Sequence, residues 1–150
     1  MRKILLLFTL TFLFANSREI PIDNFFQTEL KIKDKIFNLW LAINPKQQKD
    51  GLRSLTSDEV EINQGMLFIY PSNEIQTFWM RDTLIDLDIA FIYESGEISD
   101  IYSMEQGSKE YFSSSNPIRY VLELRSGIFD KLNLLVGDKI DIPKVVKDFS

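Results

Sequence analysis

Neither cysteine nor histidine occurs anywhere in this chain of 150 residues. Their absence removes the Ser-His-Asp triad, the Cys-His pair and the ordinary zinc site, which all need an imidazole or a thiolate. It also removes disulfides as a source of stability. The six glycines stand singly at turns, so no glycine-rich loop is available to cradle a phosphate. Basic residues are the minority: 17 Lys and Arg face 22 Asp and Glu, a net charge of −5, and no basic stripe is interleaved with aromatics. Such a chain repels phosphate backbones and anionic lipid surfaces, and nucleic acid is not an expected partner. Carboxylate acid–base chemistry, oxygen-ligand metals, Ser or Lys nucleophiles, or no chemistry at all remain open.

Long apolar runs are also scarce. Arg2 and Lys3 precede one of 11 residues, Ile4 to Phe14, well short of the roughly 20 needed to span a membrane. Ala15-Asn16-Ser17 then offers small residues at the two positions a signal peptidase reads. This layout predicts a signal peptide over residues 1–17 and an exported, periplasmic or extracellular protein; an uncleaved anchor or a buried first helix is the alternative. No cysteine follows the run, so a lipidated thiol is excluded. Removing seventeen residues of 150 leaves 133, with 15 basic groups against 22 acids and a net charge of −7. That length suits one domain with an adequate core and no membrane span after cleavage.

Residues 18–28 lack periodicity and read as a tether, 29–143 as a single β-rich domain and 144–150 as a tail. Leu30 and Ile32, then Phe37 to Ile43, read as two strands around a Lys33-Asp34-Lys35 turn. Asn44 and Pro45 suit the cap and first position of a short helix, and Gly51 suits its end. Met66 to Tyr70 reads as a buried strand. Leu84 to Tyr93 alternates, with Ile85, Leu87, Ile89, Phe91 and Tyr93 on one face and Asp86, Asp88, Ala90 and Ile92 on the other. Ser95-Gly96 makes a hairpin turn to Glu97–Tyr102, and Tyr120–Leu124 and Lys139–Ile142 add further strands. The fold class predicted is mainly β, a compact antiparallel β-sandwich or small barrel-like fold with one short helix.

The densest polar cluster is Phe78-Trp79-Met80-Arg81-Asp82-Thr83, followed by Asp86 and Asp88. Two neighbouring carboxylates on one face suit Ca²⁺ or a shared proton. The plainer and favoured reading leaves Asp86 solvated and Asp88 capping backbone groups, and Trp79 alone is more often core than platform. Glu123, between Leu122 and Leu124, either faces water with Arg125 or is buried and needs a partner. Arg81 is the candidate cation, since its planar fork suits a carboxylate. On that expectation Glu123→Gln destabilises the fold by roughly 3 kcal/mol.

Six strings carry a resemblance: Gly51-Leu52, Gly65-Met66-Leu67-Phe68, Phe78-Trp79-Met80-Arg81-Asp82-Thr83, Leu87-Asp88-Ile89-Ala90-Phe91-Ile92, Tyr120-Val121-Leu122-Glu123-Leu124, and Gly127 with Gly137-Asp138. In that order they resemble the motifs of the bacterial and archaeal family called domain of unknown function 192, over about residues 38 to 142. Two departures stand out. The family usually carries Lys-Asn where this chain has Arg81-Asp82, and a Met-x-Arg stretch where Arg53 directly follows Leu52. The resemblance implies a compact, mostly antiparallel β fold and frequent export, and no assigned activity. It marks Trp79, Arg81, Thr83, Asp88 and Glu123 as motif positions.

The expected function is a non-catalytic envelope or periplasmic module whose Trp79, Arg81, Thr83, Asp86, Asp88 and Glu123 bind a small polar ligand, a sugar or a peptide. An aromatic face packs on such a ligand while polar groups orient it. No catalytic residue, metal or cofactor is assigned. The alternatives are a structural or accessory envelope protein and a carboxylate-dependent hydrolase using Asp88 and Glu123.

Overall fold

Branched and aromatic residues recur at alternating positions from Gln27 to Arg125, and in the computed structural model, which describes residues 18–149, they fold as eight strands. The expected signal peptide lies outside the described residues. In chain order the elements are β1 (Gln27–Ile32), β2 (Lys35–Ala42), α1 (Pro45–Asp50), β3 (Gln64–Glu74), β4 (Thr77–Trp79), β5 (Leu87–Ile92), β6 (Ile98–Met104), β7 (Tyr111–Ser113), β8 (Ile118–Arg125), α2 (Ile128–Leu132) and α3 (Lys144–Lys147). Six strands form one mixed sheet in the order β1-β2-β3-β8-β5-β6, and β4 pairs with β7 as a separate two-stranded sheet.

The fold is mainly β, as the alternation predicts, and the large sheet stays open rather than closing into a barrel. One pairing differs from the antiparallel expectation. β2 and β3 run parallel, Leu39 opposite Gly65 and Leu41 opposite Leu67. A parallel pair needs a crossover, and α1 with the following loop supplies it. Asn44 Oδ1 accepts the Gln47 N–H at 3.0 Å to start α1, and the Gly51 N–H closes it on the Gln47 carbonyl with φ at 48°.

The sheet has a core on each face. Leu39, Leu41, Leu67, Ala90, Ile92, Leu122 and Leu124 pack with Phe129, Leu134, Ile142 and Val146 on one side. Trp40, Met66, Phe68, Leu87, Ile89, Phe91 and Val121 pack with Leu52, Leu55, Val60 and Met80 on the other. β5 is therefore buried at every position. Strand alternation divides its side chains between the two cores, as the sequence pattern predicts. Gly65 on β3 is a place where the backbones approach closely: a Cβ there would run into the Glu123 carbonyl oxygen and Leu124.

The expected strand Lys139–Ile142 is reduced to an isolated bridge from Lys139 to Glu97, and two further segments differ from the sequence reading. The stretch read as a tether is docked, with β1 beginning at Gln27 and Phe25 buried. The Arg18 guanidinium donates to the carbonyls of Gly51 and Arg53, both at 2.8 Å, and the Glu19 and Ile20 amides donate to Asp50. The stretch read as a tail contains α3, which buries Val146. Both gain order from partners distant in sequence, which no local period reveals. The one expected helix is joined by α2 and α3, each of five residues or fewer.

Candidate functional site

β8 carries Glu123 toward the α1 side of the sheet, because Glu123 pairs with Met66 on β3 and Ile89 on β5, both on that face. Above it the crossover and the β4 strand do not quite meet. They leave a cleft of about 250 Å³. Its floor is Phe68, Tyr70 and Glu123; one wall is the end of α1 with Arg53, the other is Phe78 and Trp79 with Arg81 to Thr83. Phe68 and Phe78 meet edge to face, ring centroids 4.9 Å apart, and supply the apolar surface.

Glu123 is only 5% exposed, and its carboxyl makes no hydrogen bond or ion pair among the described residues. Burial pushes its pKa up from 4.5 to about 8, so it holds its proton at neutral pH. The expected pair with Arg81 is not formed. Instead the Arg81 guanidinium sits 5.5 Å from the centre of the Trp79 ring, as a cation–π contact. The reason lies in the turn between them and β5. Asp82 has φ of 62°, the left-handed region, and turns the chain so that Arg81 stays at the rim. Asn and Asp are the non-glycine residues that tolerate that conformation best.

The Tyr70 phenol is also pushed up in pKa, first by burial and then by the Glu123 charge. Asp50, 1% exposed, is fully engaged by Arg53 Nη2 at 2.9 Å and by the amides of Glu19 and Ile20 at 3.2 and 2.8 Å. Lys49 bonds Glu19 at 2.6 Å.

Four of the six expected site residues, Trp79, Arg81, Thr83 and Glu123, line this cleft. Asp88 and Asp86 do not. Asp88 pairs with Leu124, so it faces the opposite core, where it accepts Ser103 Oγ at 2.9 Å and the Phe129 N–H at 3.1 Å. It caps the first turn of α2, the plainer reading of that residue. Asp86 precedes β5 and accepts the Gln106 N–H at 2.8 Å, beside a separate shallow depression with Arg125 and Ser126. A single concave surface holding Trp79, Arg81, Asp86 and Asp88 is thus not formed. Trp79 is 46% exposed and stacks on Tyr111 at 5.7 Å, its cross-strand neighbour.

The sequence reading missed Tyr70, Asp50 and Arg53. Asp50 had a signal. A carboxylate at the last position of a helix sits against the negative end of the dipole, a placement that calls for outside partners. Among the described residues no group of three or more carboxylates is arranged to hold a metal.

Residues 28–142 match the family DUF192, described as an uncharacterized ACR. No curated protein matches the chain. A solved structure from Sinorhizobium meliloti 1021, provisionally assigned as a transcription regulator, is 28% identical with a TM-score of 0.70, over 77% of this chain and 91% of its own. A protein of unknown function from Novosphingobium aromaticivorans DSM 12444 is 26% identical with a TM-score of 0.69, over 79% and 85%.

Proposed function

Because the chain belongs to the DUF192 family, which is uncharacterized, we propose from the cleft alone that the domain is a non-catalytic module binding a small polar ligand. The observation that carries this reading is Glu123, a carboxyl buried beneath an open cleft with no hydrogen bond or ion pair among the described residues. Buried polar groups are normally hydrogen-bonded. Glu123 lines an open cleft, so its carboxyl can take a partner from outside, solvent or a ligand. Asp88, by contrast, is fully satisfied and serves the fold. That contrast favours binding over a purely structural role for the Glu123 side. It also disfavours the hydrolase, since Asp88 and Glu123 lie on opposite faces of one sheet and cannot flank one bond.

The test uses the rim tryptophan. In a Trp40→Phe background, which removes the buried emitter in the core, Trp79 emission is expected to shift or quench with a cognate sugar, amino acid or short peptide. An unchanged spectrum across the whole panel, with no ligand detected by calorimetry, would sink the binding reading in favour of a structural one.

We place the module outside the cytoplasm, on the strength of the leader pattern in residues 1–17. Mass spectrometry of the protein from its host is expected to find a terminus at or near Arg18; an intact Met1 in the envelope fraction overturns this. The regulator assignment of the S. meliloti relative is not carried over, because an acid excess opposes contact with phosphates.

A further inference from the structure

Three ionisable groups of the cleft form no ion pair among the described residues: Glu123 at the floor, and Arg81 and Asp82 side by side in the wall. Among the described residues, Glu123 at the floor has no cation and no hydrogen-bond donor. Arg81 at the rim has no carboxylate among the described residues, only the Trp79 ring. The other ions of the cleft wall are already neutralised: Arg53 by Asp50, Lys49 by Glu19. The volume, about 250 Å³, falls below the roughly 300–1,000 Å³ of sites for drug-sized molecules.

Resting on the binding reading above, we propose that the ligand is a free amino acid or an equally small zwitterion, its carboxylate held by Arg81 and its ammonium by Glu123. A planar guanidinium can grip a carboxylate with two parallel hydrogen bonds. Phe68 and Phe78 pack against the ligand's carbon skeleton. A neutral sugar supplies hydroxyls to Glu123 and Arg81 but no anion to match the guanidinium. A simple anion supplies Arg81 and leaves the buried acid unmatched. The zwitterion completes both.

This assignment has a proton signature. The ionisable side chains around Glu123 are Tyr70 from β3, Lys49 and Asp50 from α1, Arg53 after it, and Arg81 and Asp82 after β4; β5 offers only Ile89. The free site is protonated at neutral pH because Glu123 titrates near 8. An arriving ammonium favours the carboxylate, so binding releases a proton. Affinity therefore rises about tenfold per pH unit below about pH 8 and levels off above it.

The experiment is calorimetric titration of the protein with the standard L-amino acids, their amides and N-acetyl derivatives, glucose and acetate. Runs in two buffers of different ionisation heat, between pH 6 and 8.5, count the protons. At least one amino acid is expected to bind at pH 7 with release of about one proton. Glu123→Gln should abolish both the release and the pH dependence. Arg81→Ala should weaken the amino acid about tenfold and leave its amide unaffected. Glucose or acetate binding while amino acids do not, or amino-acid binding without proton release, overturns the zwitterion and leaves the cleft a binding site. If no probe binds, both readings fall.

Discussion

Replacing Glu123 by glutamine should stabilise the protein, and the gain should grow with pH. The folded carboxyl titrates near 8 against an ordinary value of 4.5. Below about pH 4.5 it is neutral in both states, and the substitution is nearly silent. Between the two values the unfolded chain gives up a proton that the folded chain must keep. Each pH unit in that window costs the folded state about 1.4 kcal/mol. The penalty reaches about 3 kcal/mol at pH 7 and levels off near 5 kcal/mol above pH 8. Glutamine fills the same space, carries no charge at any pH and removes the penalty. Urea unfolding of both proteins at pH 5, 7 and 9 reads the difference directly. The wild type should itself weaken from pH 5 to 9. A variant less stable than wild type at pH 9, or a difference that ignores pH, would show that a cation serves Glu123 after all.

The sign is opposite to the one the sequence suggests, and the reason is instructive. Asp88 and Glu123 look alike on paper: each is an acid inside an apolar run on a buried strand. The period-2 pattern places both strands correctly and divides β5 between the two cores. It cannot say what lies over each face. Over Asp88 lies the start of α2, some 41 residues further along the chain, whose amide satisfies it. Over Glu123 lies a gap between a crossover and a two-stranded flap. Arg81, 42 residues before Glu123, does not reach it, because the left-handed Asp82 after it leaves it on the Trp79 ring. Local patterning thus reveals strand, face and the Trp79–Thr83 wall of the cleft. The parallel β2–β3 pair, the docked Arg18 and the role of Asp50 depend on contacts between distant segments, and no period encodes them.

Asp50 is the second residue whose removal should be costly. It ends α1 almost wholly buried and ties three things together: its own helix, Arg53 in the crossover, and the amides of Glu19 and Ile20. Asp50→Ala removes the acceptor of two backbone donors and of Arg53 Nη2, beside an Arg18 already held down in pKa by burial. Breaking a buried pair by deleting one partner costs about 3–5 kcal/mol, and about 4 kcal/mol is expected here. Asp50→Asn keeps the shape and one acceptor oxygen but turns an NH₂ toward donors, so about half that loss is expected. Denaturant unfolding measures the global cost. Hydrogen exchange at the Glu19 and Ile20 amides measures the local one, and both should exchange faster in either variant. If stability falls while those amides stay protected, Asp50 acts only through Arg53. If Asp50→Ala costs less than about 1 kcal/mol, within the range of surface changes and modest defects, the hub is not what holds the cleft wall and the docked Arg18 segment in place.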